Sequence, residues 1–291
     1  MKNQIIFRDI ALITCSGTFE EEMLRLCLLT LRKYNRTCEI RFYTHGVSPR
    51  KREWLTRKFN LNISDLSDKD WVEREQASKI YKIKELGLVD GDRVLFLDAD
   101  LVFRDDPFKV FEEDFDVFVT SRYYAYPYPL NAGVWGFKYN DNSRRFLEFY
   151  LEQVTSPDWD PLVTLYNRYS HTGRWLDQDF LCVWFMIGLL KSEGKISVPW
   201  QEDKELLEAL RKAELPFDVR MYDAGPEYNY APATILGTRE EIVTDVRAKL
   251  KDKETKIIHL KGLLHSRKYL TRLGLYRFGW AQRLSQIVFH R

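Results

Sequence analysis

Two carboxylates spaced i, i+2, Asp98 and Asp100, follow the apolar run Arg93-Val-Leu-Phe-Leu97. An apolar run of that length closed by a turn reads as a buried strand whose end reaches the surface. Side chains at i and i+2 of a strand share one side about 6.6 Å apart, which lets both carboxylates serve one hard divalent cation, directly or through its water. Mg²⁺ and Mn²⁺ prefer oxygen ligands and commonly complete their shell with substrate phosphates, so two carboxylates without a full protein cage point toward a diphosphate. The plain alternative is a solvated strand end. The apolar run weighs against it, because the crevice beyond the strand ends is where open α/β sheets bind ligands.

Three other segments carry groups of the same kind. Asp177-Gln-Asp179 opens a long apolar stretch, where Asp177 could simply be an N-cap and Asp179 a favourable first-turn charge. Asn131-Ala-Gly133 is a tight segment before an apolar run, and Lys256-Ile-Ile-His259-Leu-Lys-Gly262 ends a late strand in a histidine and a glycine. Read alone, His259 is a satisfied strand-end histidine.

The elements that must position these groups alternate. Ile10 to Thr14 reads as a strand, Phe19 to Leu31 as a helix with apolar residues at helical spacing, and Glu39 to Thr44 as a strand stopped by His45-Gly46. Strand, helix and strand in this order predict a right-handed parallel crossover and an α/β class. Further helices are predicted over 48–59, 77–87 with Ile80, Ile83 and Leu86 inward, 141–154, 180–190, 204–213 and 240–251. Further strands are predicted over 114–120, 131–139 and 218–223. The stretch 121–130 holds four Tyr and two Pro, a rigid aromatic loop suited to a sugar platform or to covering a core edge.

At 291 residues and 45% hydrophobic content the chain can bury a substantial core. No apolar run approaches the 18 or more residues of a spanning helix, and Lys2, Arg8 and Asp9 interrupt the start, so a soluble, cytoplasmic protein without a secretory signal is expected. Cys15, Cys27, Cys38 and Cys182 show no Cys-x-x-Cys spacing and read as reduced core thiols. The net charge of +2 hides an asymmetry. Residues 256–291 hold eight Lys and Arg and no acid, leaving 37 basic against 43 acidic groups before them.

With these pieces in order, the chain resembles glycosyltransferase family 8, the GT-A-fold group that contains glycogenin and bacterial lipopolysaccharide galactosyltransferases. Leu-Asp-Ala-Asp at 97–100, Asn-Ala-Gly-Val at 131–134, Leu-Asp-Gln-Asp at 176–179 and His-x-x-Gly at 259–262 carry the likeness. The resemblance implies a Rossmann-like GT-A fold with a mixed, mostly parallel central sheet. It implies a single catalytic domain over 1–265, with 1–140 taking the nucleotide sugar and 141–265 the acceptor, followed by a tail at 266–291. It implies a transferase that moves a sugar from a UDP-sugar or another nucleotide diphosphate sugar to a glycan, lipid-linked or protein acceptor, with retention.

Asp98, Asp100 and His259 would hold Mn²⁺ or Mg²⁺. Lys79, with Lys82 as second choice, would face the leaving phosphate. Asn131 and Gly133 would lie beside the sugar. Thr14, Ser16 and Ala99 would touch the nucleotide, while Gly262, His265 and Lys268 would close on its phosphates. Asp177 and Asp179 would meet sugar hydroxyls, and the Gln178 amide would sit near the anomeric carbon. Two departures stand out: Cys182 occupies a position the family usually gives to Asn, and His265 one it tends to give to Lys.

Two competing readings use the same residues. Leu97 to Val102 also resembles the first motif of haloacid-dehalogenase-type phosphatases, with Asp98 as nucleophile and Thr120 imitating the second motif, although such a motif usually opens its domain. A non-catalytic sugar-nucleotide-binding protein could keep the fold without the chemistry. Nucleic acid is not an expected partner, since the basic residues lack a recognised binding module. In the tail, Leu270, Leu273, Trp280, Leu284 and Ile287 fall along one helical stripe flanked by Arg272, Arg277 and Arg283. This is a pattern for peripheral contact with an anionic membrane or for packing on the domain. Flotation with anionic liposomes should fall when residues 268–291 are removed; an unchanged bound fraction ends the membrane reading.

Overall fold

The computed structural model describes residues 7–16, 21–66, 82–121, 130–155, 161–170, 176–193, 204–231, 238–260, 273 and 275. Strands β1 (Asp9–Ser16), β2 (Glu39–His45), β3 (Asn62–Asp65) and β4 (Arg93–Leu97) run parallel as neighbours in the order β3-β2-β1-β4. Two more strands of this sheet, β6 (Val117–Val119) and β8 (Met221–Asp223), lie at its other end. Between β4 and β6 sits β7 (Val134–Lys138), antiparallel to both, while β6 and β8 pair in parallel. A separate two-stranded antiparallel ladder joins β5 (Leu101–Phe103) to β9 (Ile257–His259).

Alternation along the strands divides the core. Ile10, Leu12, Val94, Phe96, Trp135 and Phe137 face one layer, and Ala11, Ile13, Leu95, Leu97 and Val134 face the other. Both faces are covered, which is why β4 is apolar from Val94 to Leu97 rather than alternating. On the second face α1 (Glu21–Tyr34) buries Leu24, Cys27, Leu28 and Leu31 at i, i+3, i+4 and i+7, and α2 (Pro49–Phe59) adds Leu55 and Phe59. Helix α2 starts on Ser48, whose side chain accepts from Lys51 N, with Pro49 in the first turn, and ends on Asn60 at φ 51°, a left-handed cap.

On the first face lie α3 (Asp141–Thr155), α4 (Pro161–Ser170), α5 (Leu176–Glu193) and α6 (Lys204–Lys212). Residues 180 to 187 and Leu189 of α5 are all buried, so this helix is apolar all round because it is enclosed on every side. The face is also rich in ring contacts: Phe96 stacks on Trp135 at a centroid distance of 4.0 Å. The third helical contribution is α7 (Arg239–Lys249), opened by a capping box in which Thr238 and Glu241 each bond the other's backbone.

Several elements differ from the sequence reading. The helix expected over 77–87 is, in its described part, a 3-10 turn at Lys82–Leu86 with Ile83 and Leu86 buried; Ile80 lies outside the described residues. Helix α5 begins at Leu176, so Asp177 lies inside its first turn and not at an N-cap. The 161–170 helix falls in a Trp/Tyr-rich stretch expected to be a connector, and β3 had no expectation. The strands expected over 114–120 and 218–223 shorten to three residues each, although Asp116 N still donates to Arg220 O and Asp116 O accepts from Lys138 N. Among the described residues no helix is long and apolar enough to cross a membrane. Leu273 of the expected membrane stripe is buried beside Met23, Leu26 and Val246, so its side chain is spent on the core.

Asp116 is buried and holds three elements together. It accepts from Arg220 N (2.9 Å) and the Arg220 guanidinium (3.2 Å), and from Asn140 and Asn142 at the start of α3 (2.8 and 3.3 Å). Burial pushes its carboxyl up, but the Arg220 side chain and backbone and the two Asn amides outweigh burial and hold it below the ordinary carboxylate value. A lowered native pKa gives stability that is complete above the unfolded value near about 3.9 and is lost as pH falls through the native one. Asp116→Asn should therefore destabilise by about 2 kcal/mol at pH 7. In urea unfolding the gap from wild type should narrow at pH 3; a gap that widens in acid would refute the assignment.

Candidate metal centre

The site forms where the two sheets meet. Leu97 ends β4 opposite Val134, and one step further Asp98 N donates to Gly133 O at 2.9 Å. The chain then turns through Ala99 and Asp100 into β5, whose first residue, Leu101, pairs with His259 at the end of β9. Leu260 N donates to Asp100 O at 2.9 Å, so each acid is tied to a different partner segment. Beneath the turn Cys27 is buried with Sγ 3.9 Å from Asp98 O, and burial holds its thiol well above the ordinary range. None of the four cysteines is in a disulfide and all are buried, in line with the reading as reduced core thiols.

A turn in place of an extended strand corrects the spacing expected for the two carboxylates. One donor atom from each of Asp98, Asp100 and His259 lies within 4.8 Å of the others. His259 Nε2 is 3.0 Å from Asp100 Oδ1 and 3.4 Å from Asp98 Oδ2. For bonds of about 2.1 Å, adjacent corners of an octahedron lie about 3.0 Å apart, so these separations suit one ion. Two carboxylate oxygens and an imidazole nitrogen also suit Mn²⁺ by type. The His259 side chain is fully buried and that of Asp98 is 33% exposed, so the cluster opens on its Asp98 side.

Two neighbours fit the same use. A Cβ on Gly133 would lie 2.7 Å from Asp98 Oδ2 and from Asn131 Oδ1 and would overlap His259 Cε1, so only glycine leaves the cluster undisturbed. Asn131 is buried, its Oδ1 accepts from Gly133 N at 2.5 Å, and its Nδ2 has no hydrogen-bond partner among the described residues. A buried donor left without a partner costs about 1–3 kcal/mol, which is a reason to expect an oxygen-bearing ligand beside it.

The other expected site residues fall into three groups. Thr14, half-buried on β1, follows Ile13, which pairs with Leu97, and so lies at the level of Asp98; Ala99 is buried within the turn. Ser16 ends β1, Asp177 and Gln178 lie in the first turn of α5, and Asp179 behind them is buried. Cys182 on α5 points Sγ at Leu130 O, 3.8 Å away, which sets that helix beside the residue before Asn131. Lys79, Gly262, His265 and Lys268 lie outside the described residues, as does most of the aromatic loop over 121–130. Lys82 pairs with Glu85 at 2.5 Å and lies over the Tyr43 ring.

The sequence reading missed Asn229, whose Oδ1 is 2.9 Å from His259 Nδ1. It sits in Gly225 to Tyr230, a Pro/Tyr/Asn stretch with no period that would announce pairing with β9. Nevertheless Tyr230 N donates to Ile257 O and His259 N to Tyr230 O, at 3.0 and 2.9 Å.

No protein-family model matches the chain, and no curated protein matches it in sequence. Solved structures do match. The galactosyltransferase LgtC, in complex with donor and acceptor sugar analogues, superposes at a TM-score of 0.50 and 15% identity over 96% of this chain and 95% of its own. The glycosyltransferase GlyE of Streptococcus pneumoniae TIGR4 gives 0.51 at 13% identity, with 97% of this chain covered. The fold is GT-A. The bifunctional glycosyltransferase WbbM also gives 0.51, at 10% identity over 98% of this chain. The match spans 64% of the GlyE chain and 52% of the WbbM chain. Within the GT-A sheet the Asp-His cluster lies at the C-terminal end of β4, the edge at which open α/β sheets take ligands.

Gly133→Ala should lower the melting temperature, because the buried His259 ring and Asn131 amide must shift, and the folded protein should bind Mn²⁺ about tenfold or more weakly. Calorimetric titration with Mn²⁺ measures this; unchanged affinity would mean that Gly133 does not border the site.

Proposed function

We propose that the chain is a divalent-cation-dependent glycosyltransferase that moves a sugar from a nucleotide diphosphate sugar, a UDP-sugar by the family resemblance, to a glycan, lipid-linked or protein acceptor with retention. The observation that carries the reading is the convergence of Asp98, Asp100 and His259, from chain segments about 160 residues apart, at the ligand-binding edge of a GT-A sheet. The complexed donor and acceptor sugar analogues of LgtC are in keeping with it.

In this reading Asp98, Asp100 and His259 hold Mn²⁺ or Mg²⁺, which when bound supplies Lewis-acid stabilisation of the leaving diphosphate. Asn131 Nδ2 donates to a donor-sugar or phosphate oxygen, and Gly133 lets that group approach closely. Thr14, Ser16 and Ala99 flank the nucleotide. By the family resemblance Lys79 would serve the leaving phosphate, and Gly262, His265 and Lys268 would bind the donor phosphates. Asp177 and Asp179 orient sugar hydroxyls, and Gln178 lies at the anomeric carbon. The protein works in the cytoplasm, and the basic tail at 266–291 serves either peripheral contact with an anionic membrane or packing on the domain. The phosphatase reading asks Thr120 to face substrate, whereas Thr120 is buried and its hydroxyl lies 2.9 Å from Val134 O.

The test is a thermal-shift screen of nucleotide sugars with Mn²⁺, followed by an assay of nucleoside diphosphate release. A ligand at a hundred times its dissociation constant stabilises by about 2.7 kcal/mol, so a UDP-sugar should raise the melting temperature in Mn²⁺ and not in chelator. Release should be Mn²⁺-dependent and fall about a hundredfold or more in Asp100→Asn. Stabilisation with no turnover across many acceptors would favour the non-catalytic binder. Phosphate release from p-nitrophenyl phosphate that Asp98→Asn abolishes would favour the phosphatase.

A further inference from the structure

Behind the metal-facing side of His259 lies a buried polar chain that no part of the expected chemistry uses. Thr120, Asn229 and His259 are each fully buried. Thr120 Oγ1 is 2.9 Å from Val134 O and 3.4 Å from Asn131 O, Asn229 Nδ2 is 2.8 Å from Thr120 Oγ1, and His259 Nδ1 is 2.9 Å from Asn229 Oδ1.

These distances set a direction. A backbone carbonyl only accepts, so the single hydroxyl proton of Thr120 goes to Val134 O. The hydroxyl then offers lone pairs to its other neighbour, which must be a donor and is therefore the Asn229 NH₂. With the amide so turned, its carbonyl oxygen faces the ring, and the ring must donate from Nδ1. The neutral imidazole that satisfies this chain carries its lone pair on Nε2, the atom that faces Asp98 and Asp100. Reversing the amide would leave carbonyl, hydroxyl and amide oxygens competing for one proton in a dry interior, a costly arrangement.

We propose that Asn229, held in place by Thr120, is a positioning residue that fixes His259 in its Nδ1–H tautomer and presents Nε2 as a metal-ligand atom. The inference rests on the metal reading above and adds the device that makes the histidine competent. Backbone contacts aim Asn229: its own N–H donates to Pro226 O at 3.2 Å, and Tyr230 bridges to β9. The relay therefore links β6, β7, the 225–230 turn and β9 into one support. Partners of this kind set both the orientation and the basicity of a ligating imidazole.

The test pairs disruptive with conservative substitutions and reads metal affinity separately from folding. In calorimetric titrations with Mn²⁺ alone, Asn229→Leu should weaken binding about 10- to 100-fold, while Asn229→Asp, which still accepts from Nδ1 but leaves Thr120 Oγ1 without its donor, should weaken it less. Thr120→Val should weaken binding and Thr120→Ser restore it. A merely structural role would lower the melting temperature of the Leu and Val variants while leaving the Mn²⁺ affinity of the folded protein unchanged, and that result overturns the proposal. A second readout needs no variant at that position. In ¹⁵N-labelled wild-type protein with the His259 ring titrated to its neutral form, long-range nitrogen–proton correlations should place the proton on Nδ1. A proton on Nε2 overturns the proposal. If wild type binds no Mn²⁺, the metal reading fails, and the nitrogen spectrum still decides the relay.

Discussion

The pairing of β5 with β9 is the constraint on which the candidate centre depends. Three residues on each side, with Leu101 opposite His259, close a loop of more than 150 residues and bring the imidazole to the acids. A two-stranded ladder is marginal by itself in water. Here it is supported from outside: Val102, Ile258 and Leu260 are buried with Met23 and Leu26 of α1 and Ile242, Val243 and Val246 of α7. Phe103 N donates to Thr30 Oγ1 at 3.1 Å, and Thr30 in turn bonds back to Leu26 O at 2.8 Å. The helix that covers the parallel half of the main sheet thus also clamps the small one, so the centre inherits the rigidity of the core.

Electrostatics explains why such a cluster needs this support. Two carboxylates beside one buried ring repel each other in a medium that screens poorly, and their separation would relax outward if the backbone allowed it. The turn does not allow it, since Asp98 is held through Gly133 O and Asp100 through Leu260 N. Gly133 completes the restraint by occupying the least possible volume between Asp98 and Asn131. The result is a preorganised concentration of negative charge whose natural complement is a cation.

Much of this was legible in the sequence, for identifiable reasons. The apolar run before Asp98 reported a strand buried on both faces, and helical spacing from residue 19 to 31 reported α1, because period and burial are local properties. The order of acidic, Asn/Gly and His-x-x-Gly segments indicated a GT-A fold before any contact was known. What stayed hidden depends on pairing between distant segments. Nothing local shows that the turn at Asp98 to Asp100 joins two sheets, so a strand spacing was expected where the structure has a tighter one. Asn229 was unreadable for the same reason: it lies among Tyr and Pro residues without a period, and its meaning comes only from lying opposite His259. Helix α4 was lost in a stretch whose Trp and Tyr content resembled a connector.

The reversal of β7, alone among the described strands of the main sheet, has a geometric consequence of its own. In an all-parallel sheet every segment that enters a strand lies on the opposite rim from every segment that leaves one, so Asn131 and Gly133 would sit about 16 Å from Asp98, the length of a five-residue strand. Because β7 runs backwards, its entrance shares the rim with the exit of β4. An inlet and an outlet of the polypeptide thereby meet head-on, which gives the architecture a way to crowd polar groups from separate segments onto one rim.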